Sequence, residues 1–510
     1  MREISNRSEF VMRKDAAIWY LVVLIAAGSL YAFTCAPGVL WQDSGLVVYR
    51  IWHNDLEGGL GLAVAHPLYI MVGIAVKYIP LGELAWRINL VSAVFGAVAI
   101  ANLFLLLYLW IGRVLPAVIG AVTLGIGWTF WWHAVVAEVY TLFAAQLFGE
   151  LIMLFMYMRT KRRRYLYLLG FLNGLTIANH MWGIFGFVSY AVFLVILFVR
   201  KQVKFKSLGI IGLLWIIGAL PYEYLIIKNI ISSGQIVDTL MSAAFANMWR
   251  DNVLNTSISL KIVLENIVFI LLNFPTPNFL LFLLGLWILW KVSPNRSFAN
   301  IIFAMLVMHF VFAFRYTVVD RHAFFLPFYC LAAAIIGVGA DYALNRLNRR
   351  IAVYMILVFS LLPISIYFIT PAIARQFYKP LGQKRQRVYR DEYEYFLMPW
   401  KRGCRGAERF ADEALAQVEK NAIIYAYATD VHVLLYAQEV KGKRKDVRIV
   451  SCYDSSKGAP VFAEETIGRL MEGSAVYVVS VDKKTCPGFV LDRYDFIRAG
   501  VLYRVVEKNF

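Results

Sequence analysis

Residues 87–110 read RINLVSAVFGAVAIANLFLLLYLW, one arginine followed by an uncharged apolar run up to Trp110. As an α-helix these residues extend about 36 Å at 1.5 Å per residue, more than the roughly 30 Å of a bilayer's hydrocarbon core. Ten further runs of similar character lie near 16–36, 115–132, 137–158, 165–181, 183–199, 207–227, 274–290, 298–314, 322–340 and 351–371. In a chain of 510 residues with 60% hydrophobic and 16% charged side chains, they predict an α-helical polytopic membrane protein with about 11 transmembrane helices. Disorder, collagen and secreted disulfide scaffolds are excluded by the same composition. The 15% aromatic content suits many helix ends at the headgroup level. The first run is read as an uncleaved helix, because Ala32-Phe33-Thr34-Cys35 is a poor small-residue cleavage site.

Lys and Arg number 51 against 33 Asp and Glu, giving +18. In a soluble protein that excess points to nucleic acid. Here the bases sit in short clusters between apolar runs: Arg2, Arg7, Arg13 and Lys14, then Arg159–Arg164, Arg200–Lys206, Lys291 with Arg296, and Arg346–Arg350. They follow every second run, so the positive-inside rule places the N-terminus in the cytoplasm and the C-terminus outside, in the inner or plasma membrane if the cell is bacterial. No nucleic-acid partner is expected. This parity holds only if His66–Pro80 lies on the outer face as an interfacial helix; a second such helix is expected around 260–272.

Beyond Pro371 charges become frequent. Short β-rich runs at Ala422–Ala428, Val447–Cys452, Ala475–Val481 and Val501–Val506 alternate with helical patterns at Glu408–Glu419, Val431–Glu439 and Glu464–Met471. The chain is therefore divided into a transmembrane domain, residues 1–371, and a small C-terminal α/β domain, residues 372–510, on the outer side. Five cysteines show no C-x-x-C spacing and, being odd in number, leave at least one unpaired. No phosphate loop, H-E-x-x-H or G-x-S-x-G is present, so nucleotide hydrolysis, zinc proteolysis and serine hydrolysis lack their parts. No metal and no cofactor is indicated.

Ionisable groups near membrane depth are functional candidates by default. Asp43 follows the first span, His66 opens the interfacial helix, Arg87 the second span and Glu138 the fourth. His180 ends the fifth, and Asp320, Arg321 and His322 open the tenth. By parity all face one side, as a site at the outer mouth of a helical bundle requires. Each also has a structural reading: Asp43 as a helix cap or turn residue, Glu138 as a first-turn carboxylate, Asn179-His180 as a helix end, and Arg87 and Arg321 as snorkelling bases. Glu150 lies deeper, as a buried neutral carboxyl or part of a proton path.

At these residues the chain resembles the GT-C superfamily of polytopic glycosyltransferases that use polyprenyl-phosphate sugars, and most closely the protein O-mannosyltransferase-like family. The resemblance rests on Trp41-Gln42-Asp43-Ser44-Gly45, Ala65-His66-Pro67-Leu68-Tyr69, the Pro80–Ala93 segment, Ala137-Glu138-Val139-Tyr140, Gly174–His180 and Asp320 with Phe325-Leu326-Pro327. It is dense over residues 38 to about 180 and loose beyond. It implies that Asp43 is the catalytic base. Leu46 stands where the family usually has Glu, and the family's longer His-Pro run is shortened to His66-Pro67-Leu68, so no second carboxylate is expected from that segment and the entrance is expected to differ.

The resemblance thus implies transfer of a sugar, mannose in the family, from a polyprenyl-phosphate donor to a hydroxyl of a protein, lipid or glycan acceptor, with inversion. Arg87, Arg321 and His180 are the candidates for the donor phosphate; His66, Glu138, Tyr140 and Asp320 for the substrates, with the Tyr140 ring stacking on a sugar. The rival readings are a transporter or lipid flippase, for which Glu150 speaks, and an inactive glycan-assembly protein.

Overall fold

All eleven apolar runs are helical in the computed structural model, which describes residues 14–246, 249–318, 320–346, 349–377, 387–427, 429–451 and 462–508. The N-terminal bases Arg2, Arg7 and Arg13, and the predicted strand ends Ala428 and Cys452, lie outside the described residues. The first helix, α1 (Lys14–Thr34), leads to a short helix that the sequence reading missed, α2 (Asp43–Trp52), and then to the expected interfacial helix α3 (Pro67–Lys77). There follow α4 (Leu84–Ile111), α5 (Val114–Gly125), α6 (Trp128–Ala134), α7 (Tyr140–Thr160), α8 (Arg164–Asn179), α9 (Gly183–Val199) and α10 (Phe205–Ser233). Two short helices, α11 (Ile236–Phe245) and α12 (Arg250–Val253), precede α13 (Leu260–Asn273), which is helical over the stretch expected to be a second interfacial helix but is apolar enough to form a sharply bent span with the helix that follows it. The bundle ends with α14 (Leu280–Val292), α15 (Arg296–Arg315), α16 (Leu326–Arg346) and α17 (Arg349–Phe377).

Among the described residues seven helices are long and apolar enough to cross a bilayer alone, and nine if two bent pairs each count as one. The others, α8 and α9, have 16 and 17 residues. At 1.5 Å per residue they reach about 24–26 Å, less than the roughly 30 Å of the hydrocarbon core, and a turn at His180–Trp182 joins them. Helices α7 and α16 are the centre of the bundle, with 89% and 94% of their apolar windows buried, whereas α1 and α17 present most of theirs outward, with 17% and 22% buried. Both central helices begin at the same end of the bundle, directly after the segments that carry Glu138 and Asp320.

The first bent pair, α5 with α6, turns by 70° at Gly125-Ile126-Gly127. A broken helix inside a bilayer needs new partners for its freed backbone groups, and three distant side chains supply them. Tyr31 donates to the Gly125 carbonyl at 2.8 Å, the Tyr367 hydroxyl accepts from the Trp128 amide at 3.1 Å, and Asn273 Oδ1 accepts from the Thr129 amide at 3.1 Å. The break swings Trp132 and His133 inward under the α7 entrance. The second pair, α13 with the segment Pro277–Val292, turns by 104° at the Pro275–Pro277 elbow, where Asn278 donates to Ile356 O and Ser360 Oγ.

Helix α17 runs through Pro371 to Phe377. The C-terminal part contains α18 (Glu392–Leu397), α19 (Gly406–Gln417), α20 (Val431–Leu435), α21 (Glu464–Gly473) and α22 (Gly488–Arg493), with a five-stranded sheet. Strands β1 (Ile423–Tyr425), β2 (Arg448–Val450), β3 (Val476–Val478) and β5 (Leu502–Glu507) fall on the four predicted runs; β4 (Tyr494–Ala499) is an addition. The order is β2-β1-β3-β5-β4, with β1 parallel to β2 and β3 and β5 antiparallel to β3 and β4. Asp495 and Arg498 break the apolar alternation of β4 and hid it in the sequence; Gly500, at φ +55°, makes its hairpin turn. Among the described residues the cysteines 35, 330, 404 and 486 are free.

The C-terminal domain docks on the loop that carries Asp43. Phe410 packs on Trp41 with ring centroids 5.2 Å apart, the Lys401 amide donates to Thr34 O at 2.9 Å, and Lys441 bridges Glu83 and Glu408 at 3.2 and 3.0 Å. Tyr49 of α2 and His53, which caps its C-terminal end, both meet Glu439.

Candidate active site

A cavity with about 430 Å³ of empty space, its open mouth included, lies at the end of the bundle where α7 and α16 begin. Asp43, Glu138, Tyr140, Asp320 and His322 line it, five of the residues singled out in the sequence, and so do Trp132, His133 and Tyr395.

The acidic side is built by buried polar residues on α4. Asn89 Nδ2 donates to Ala36 O and Gly38 O, both at 3.0 Å, fixing the strand of chain before Trp41. One turn on, Ser92 Oγ donates to Glu138 O at 2.9 Å and accepts from the Glu138 amide at 3.0 Å, so one hydroxyl fixes the peptide of the acid. Tyr69 holds that hydroxyl at 2.7 Å, and Asn179 Nδ2 donates to Val139 O at 3.1 Å. Asn89 and Ser92 share a helix face because they are three residues apart. These positioning roles were not read from the sequence, although both residues lie inside an apolar span, where uncharged polar groups mark contacts as charged ones do.

Asp43 is the first residue of α2, whose N-cap is Gln42 at φ +67° with no side-chain cap bond. The cap role open to Asp43 is thus not the one it has. Its side chain is reachable from the cavity, while desolvation by the surrounding protein raises its carboxyl above the ordinary range. Glu138, in the loop before α7 and outside the helix, is raised further, first by burial and then by the charges of Asp43 and Asp320. A shared negative site keeps its more buried member protonated while the other ionises. Of the two, Glu138 is the more strongly held toward its neutral form and Asp43 the more readily ionised. The second carboxylate absent at Leu46 arrives from elsewhere in the chain.

The other wall is aromatic. Trp132 lies parallel to His322 at 4.9 Å and 6°, Tyr395 meets the Trp132 edge at 6.4 Å, and Tyr140 stands edge-on to His133 at 4.7 Å. Behind Tyr140, Trp182 stacks on it at 5.2 Å and His180 lies 5.8 Å away. Among the described residues His180 does not line the cavity, nor does His66, which stacks on His180 at 4.9 Å and bonds Asn179 O through Nδ1 at 2.8 Å. Burial pushes the His66 imidazole down to about 4, so it is neutral there.

Neither expected arginine lines the cavity. Arg321 is buried, donates through Nη2 to Glu265 at 2.7 Å and Ile262 O at 3.2 Å, and packs over Phe269. This pairing to α13 was hidden in the sequence because Glu265 is 56 residues away. Arg87 sits half-buried in the first turn of α4 with its Nε buried and unpaired. Arg50, not singled out in the sequence, is a structural clamp: its Nη2 donates to Leu56 O at 2.9 Å and Ala65 O at 2.7 Å. His133 lies between the apolar runs 115–132 and 137–158, and the rule applied to Glu138 finds it; it was passed over within a Trp-rich run that reads as an interfacial belt.

Glu150, on α7, accepts from Thr176 and, at 3.3 Å, from Asn173, which in turn donates to Gly183 O and accepts from Trp215 Nε1. The network joins α7 through α10, the arrangement of a buried structural carboxyl. Glu150→Gln is expected to keep activity and thermal stability. Glu150→Leu, leaving one Asn173 amide hydrogen without an acceptor while Thr176 keeps Leu172 O at 2.9 Å, is expected to cost about 1–3 kcal/mol, read as a lower melting temperature. Loss of activity in folded Glu150→Gln would support a proton path.

Residues 60–205 match the family model described as the Protein O-mannosyl-transferase TMEM260 N-terminal domain. The matched region holds His66, Arg87, His133, Glu138, Tyr140 and His180; Asp43, Asp320 and Arg321 lie outside it. Over nearly its whole length the chain is similar in structure to ArnT from Cupriavidus metallidurans bound to undecaprenyl phosphate, with TM-score 0.59, 13% identity, and coverage of 97% of this chain and 98% of that one. The apo state of the same protein gives TM-score 0.59, 12% identity, and 96% and 98% coverage.

Proposed function

We propose, from the GT-C fold of integral-membrane glycosyltransferases that this chain has and the TMEM260-type stretch it carries, that it moves a sugar, by resemblance mannose, from a polyprenyl-phosphate donor to an acceptor hydroxyl. The observation that carries this reading is one cavity that gathers Asp43, Glu138 and Asp320 from three distant segments against an aromatic wall. Carboxylates accept hydrogen bonds from hydroxyls, and aromatic faces cover the apolar face of a pyranose.

In the proposed reaction the acceptor hydroxyl gives its proton to the Asp43 carboxylate as its oxygen attacks the anomeric carbon. The bond from that carbon to the phosphate oxygen breaks, and the polyprenyl phosphate leaves with the electron pair. One displacement inverts the anomeric configuration. A phosphate departs already stabilised, so no leaving-group acid and no metal or cofactor is invoked. Glu138, protonated, orients a hydroxyl, and Tyr140 contributes to the sugar-facing wall. The polyprenyl tail lies between membrane helices, and the site faces the outer or lumenal side, with the basic loops in the cytoplasm and the C-terminal domain outside.

The test is transfer by the purified protein of labelled sugar from a polyprenyl-phosphate sugar to a panel of protein, lipid and glycan acceptors, with the product anomer read by NMR. Donor-dependent product of inverted configuration is expected. Vesicle uptake of the lipid-linked sugar with no product in any arm would favour the transporter. The pH dependence is a separate expectation. Because Asp43's carboxyl is raised in the folded protein, its base form is lost as pH falls through that raised value. The acid limb of kcat/KM, which reports the free enzyme's groups, should therefore lie above the ordinary carboxylate range, about 3.9, and a limb at or below it would remove Asp43 as the base.

A further inference from the structure

The cavity has a second polar side that the reaction above leaves unused. His133 and His322 both line it and are 6% and 9% exposed. Both ring nitrogens of His133 and Nε2 of His322 are buried without a hydrogen-bond partner in the chain. Buried polar nitrogens are nearly always satisfied, so three orphans on one wall point to a ligand. The two imidazoles lie 5.9 Å apart and nearly parallel, at 15°. Packing fixes them: His322 against Trp132 and Trp128, His133 against Tyr140.

Their surroundings differ in sign from those of the acids. The charges acting on Glu138 are Asp43 and Asp320, whereas those acting on His133 are His322 and Lys401. Lys401 is 1% exposed, donates to the carbonyl oxygens of Tyr395 and Met398 at 2.7 and 2.5 Å, and stands 4.9 Å over the Trp132 ring. The cavity is thus polarised, with carboxylates on one side and imidazole nitrogens backed by a buried ammonium on the other. A hydroxyl suits the first side. An anion suits the second, which has hydrogen-bond donors and a positive field in a desolvated setting.

Resting on the glycosyl-transfer reading above, we propose that His133 and His322 hold the phosphate of the polyprenyl donor and of the departing polyprenyl phosphate, with Trp132 as the surface between them and the sugar. In-line displacement needs the leaving group on the face of the anomeric carbon opposite the base, and the polarity of the cavity supplies that separation. It also gives the phosphate ligands in place of Arg321, which does not line the cavity and whose Nη2 is paired to Glu265, its buried Nη1 being without a partner.

The experiment is the affinity of purified, monodisperse protein for undecaprenyl phosphate, undecaprenol and inorganic phosphate, in wild type, His133→Phe, His322→Phe and the two Gln variants. Phe keeps the ring and its stacking and removes the nitrogens; Gln restores a donor. Each Phe variant is expected to weaken undecaprenyl phosphate binding by about 10- to 100-fold, the range for losing a hydrogen bond to a charged group. Gln should recover part of it, and undecaprenol binding should not change. Inorganic phosphate should bind more weakly and lose affinity by a similar factor; a loss confined to the inorganic ion would overturn the lipid assignment.

Should the Phe variants fail to fold, ¹⁵N signals of the two imidazoles in wild type are expected to move with undecaprenyl phosphate and not with undecaprenol, and unmoved signals would overturn the proposal. Folded Phe variants with wild-type phosphate affinity, or with only a higher acceptor KM, overturn it as well while leaving sugar transfer intact. Wild-type protein that neither binds the lipid phosphate nor transfers sugar overturns the functional reading itself.

Discussion

Asn at position 43 is expected to lower kcat for sugar transfer by about 10²–10⁴-fold, the range for removing a positioned general base, with no loss of melting temperature. Both halves follow from the site. Asp43 is not the N-cap of α2 but an acid in its first turn, so the amide removes no cap bond and only a dipole contribution of about 0.3–1 kcal/mol. It also removes one charge from a cavity in which Asp43, Glu138 and Asp320 crowd together, and such crowding costs stability that a neutral side chain relieves. An inactive Asp43→Asn protein, as stable as wild type or more so, is the signature of a group kept for chemistry. Glu138→Gln should fall less, because Gln keeps the hydrogen-bond donor assigned to the protonated acid. The comparison is made on single-turnover rates with saturating donor, with melting curves on the same preparations. Asp43→Asn at wild-type rate would end the mechanism. A variant that is slow only because it melts early would return Asp43 to a structural role.

How much of this was legible depends on the range of the interactions. The apolar runs are local, and every one is a helix. The acids at helix ends are also local signals, and Asp43, Glu138, Tyr140 and Asp320 meet in one cavity. Helix α2 was missed because Asp43–Trp52 is short and mixes Asp43, Tyr49 and Arg50 with apolar residues, so it reads as loop until α3 and the C-terminal domain cover it. The partner of Arg321 was beyond reach, since Glu265 comes from a stretch whose docking depends on the elbow at Pro275–Pro277. The C-terminal domain looked remote from chemistry for a similar reason. Tyr395 enters the cavity wall and Lys401 lies behind it, yet neither sits in a motif; they arrive because Trp41 and Thr34 give the domain its landing surface.

Bulk at Gly174 or Gly339 is expected to remove most of the active protein from the membrane although neither residue lines the cavity. Between tails and side chains of equal apolarity, membrane helices associate by close packing, and glycines let backbones touch. Here they work in reciprocal pairs. A methyl on Gly339 of α16 would run into the Leu281 carbonyl oxygen and stand 2.9 Å from the Gly285 amide nitrogen, and one on Gly285 would run into Ile335 O. Across α8 and α10, Gly174 faces the Trp215 carbonyl oxygen and Gly218 that of Phe171. The obstructing atoms are backbone, so no rotamer change relieves them and the helices must separate. Overpacking against side chains alone costs about 1–3 kcal/mol; Leu pressed into a carbonyl should exceed that and lower the folded yield several-fold. The effect reaches the site by a short path. Gly174 lies five residues before Asn179, about 7.5 Å along α8, and Asn179 holds Val139 next to Glu138; α16 begins just after His322. Gly174→Leu and Gly339→Leu are therefore expected to reduce the amount of folded protein far more than the donor KM of what remains, whereas Gly209→Ala, which meets nothing within 4 Å, should change neither. Normal yield and melting temperature for both Leu variants would mean that the two glycine contacts are not what holds α8 to α10 and α14 to α16.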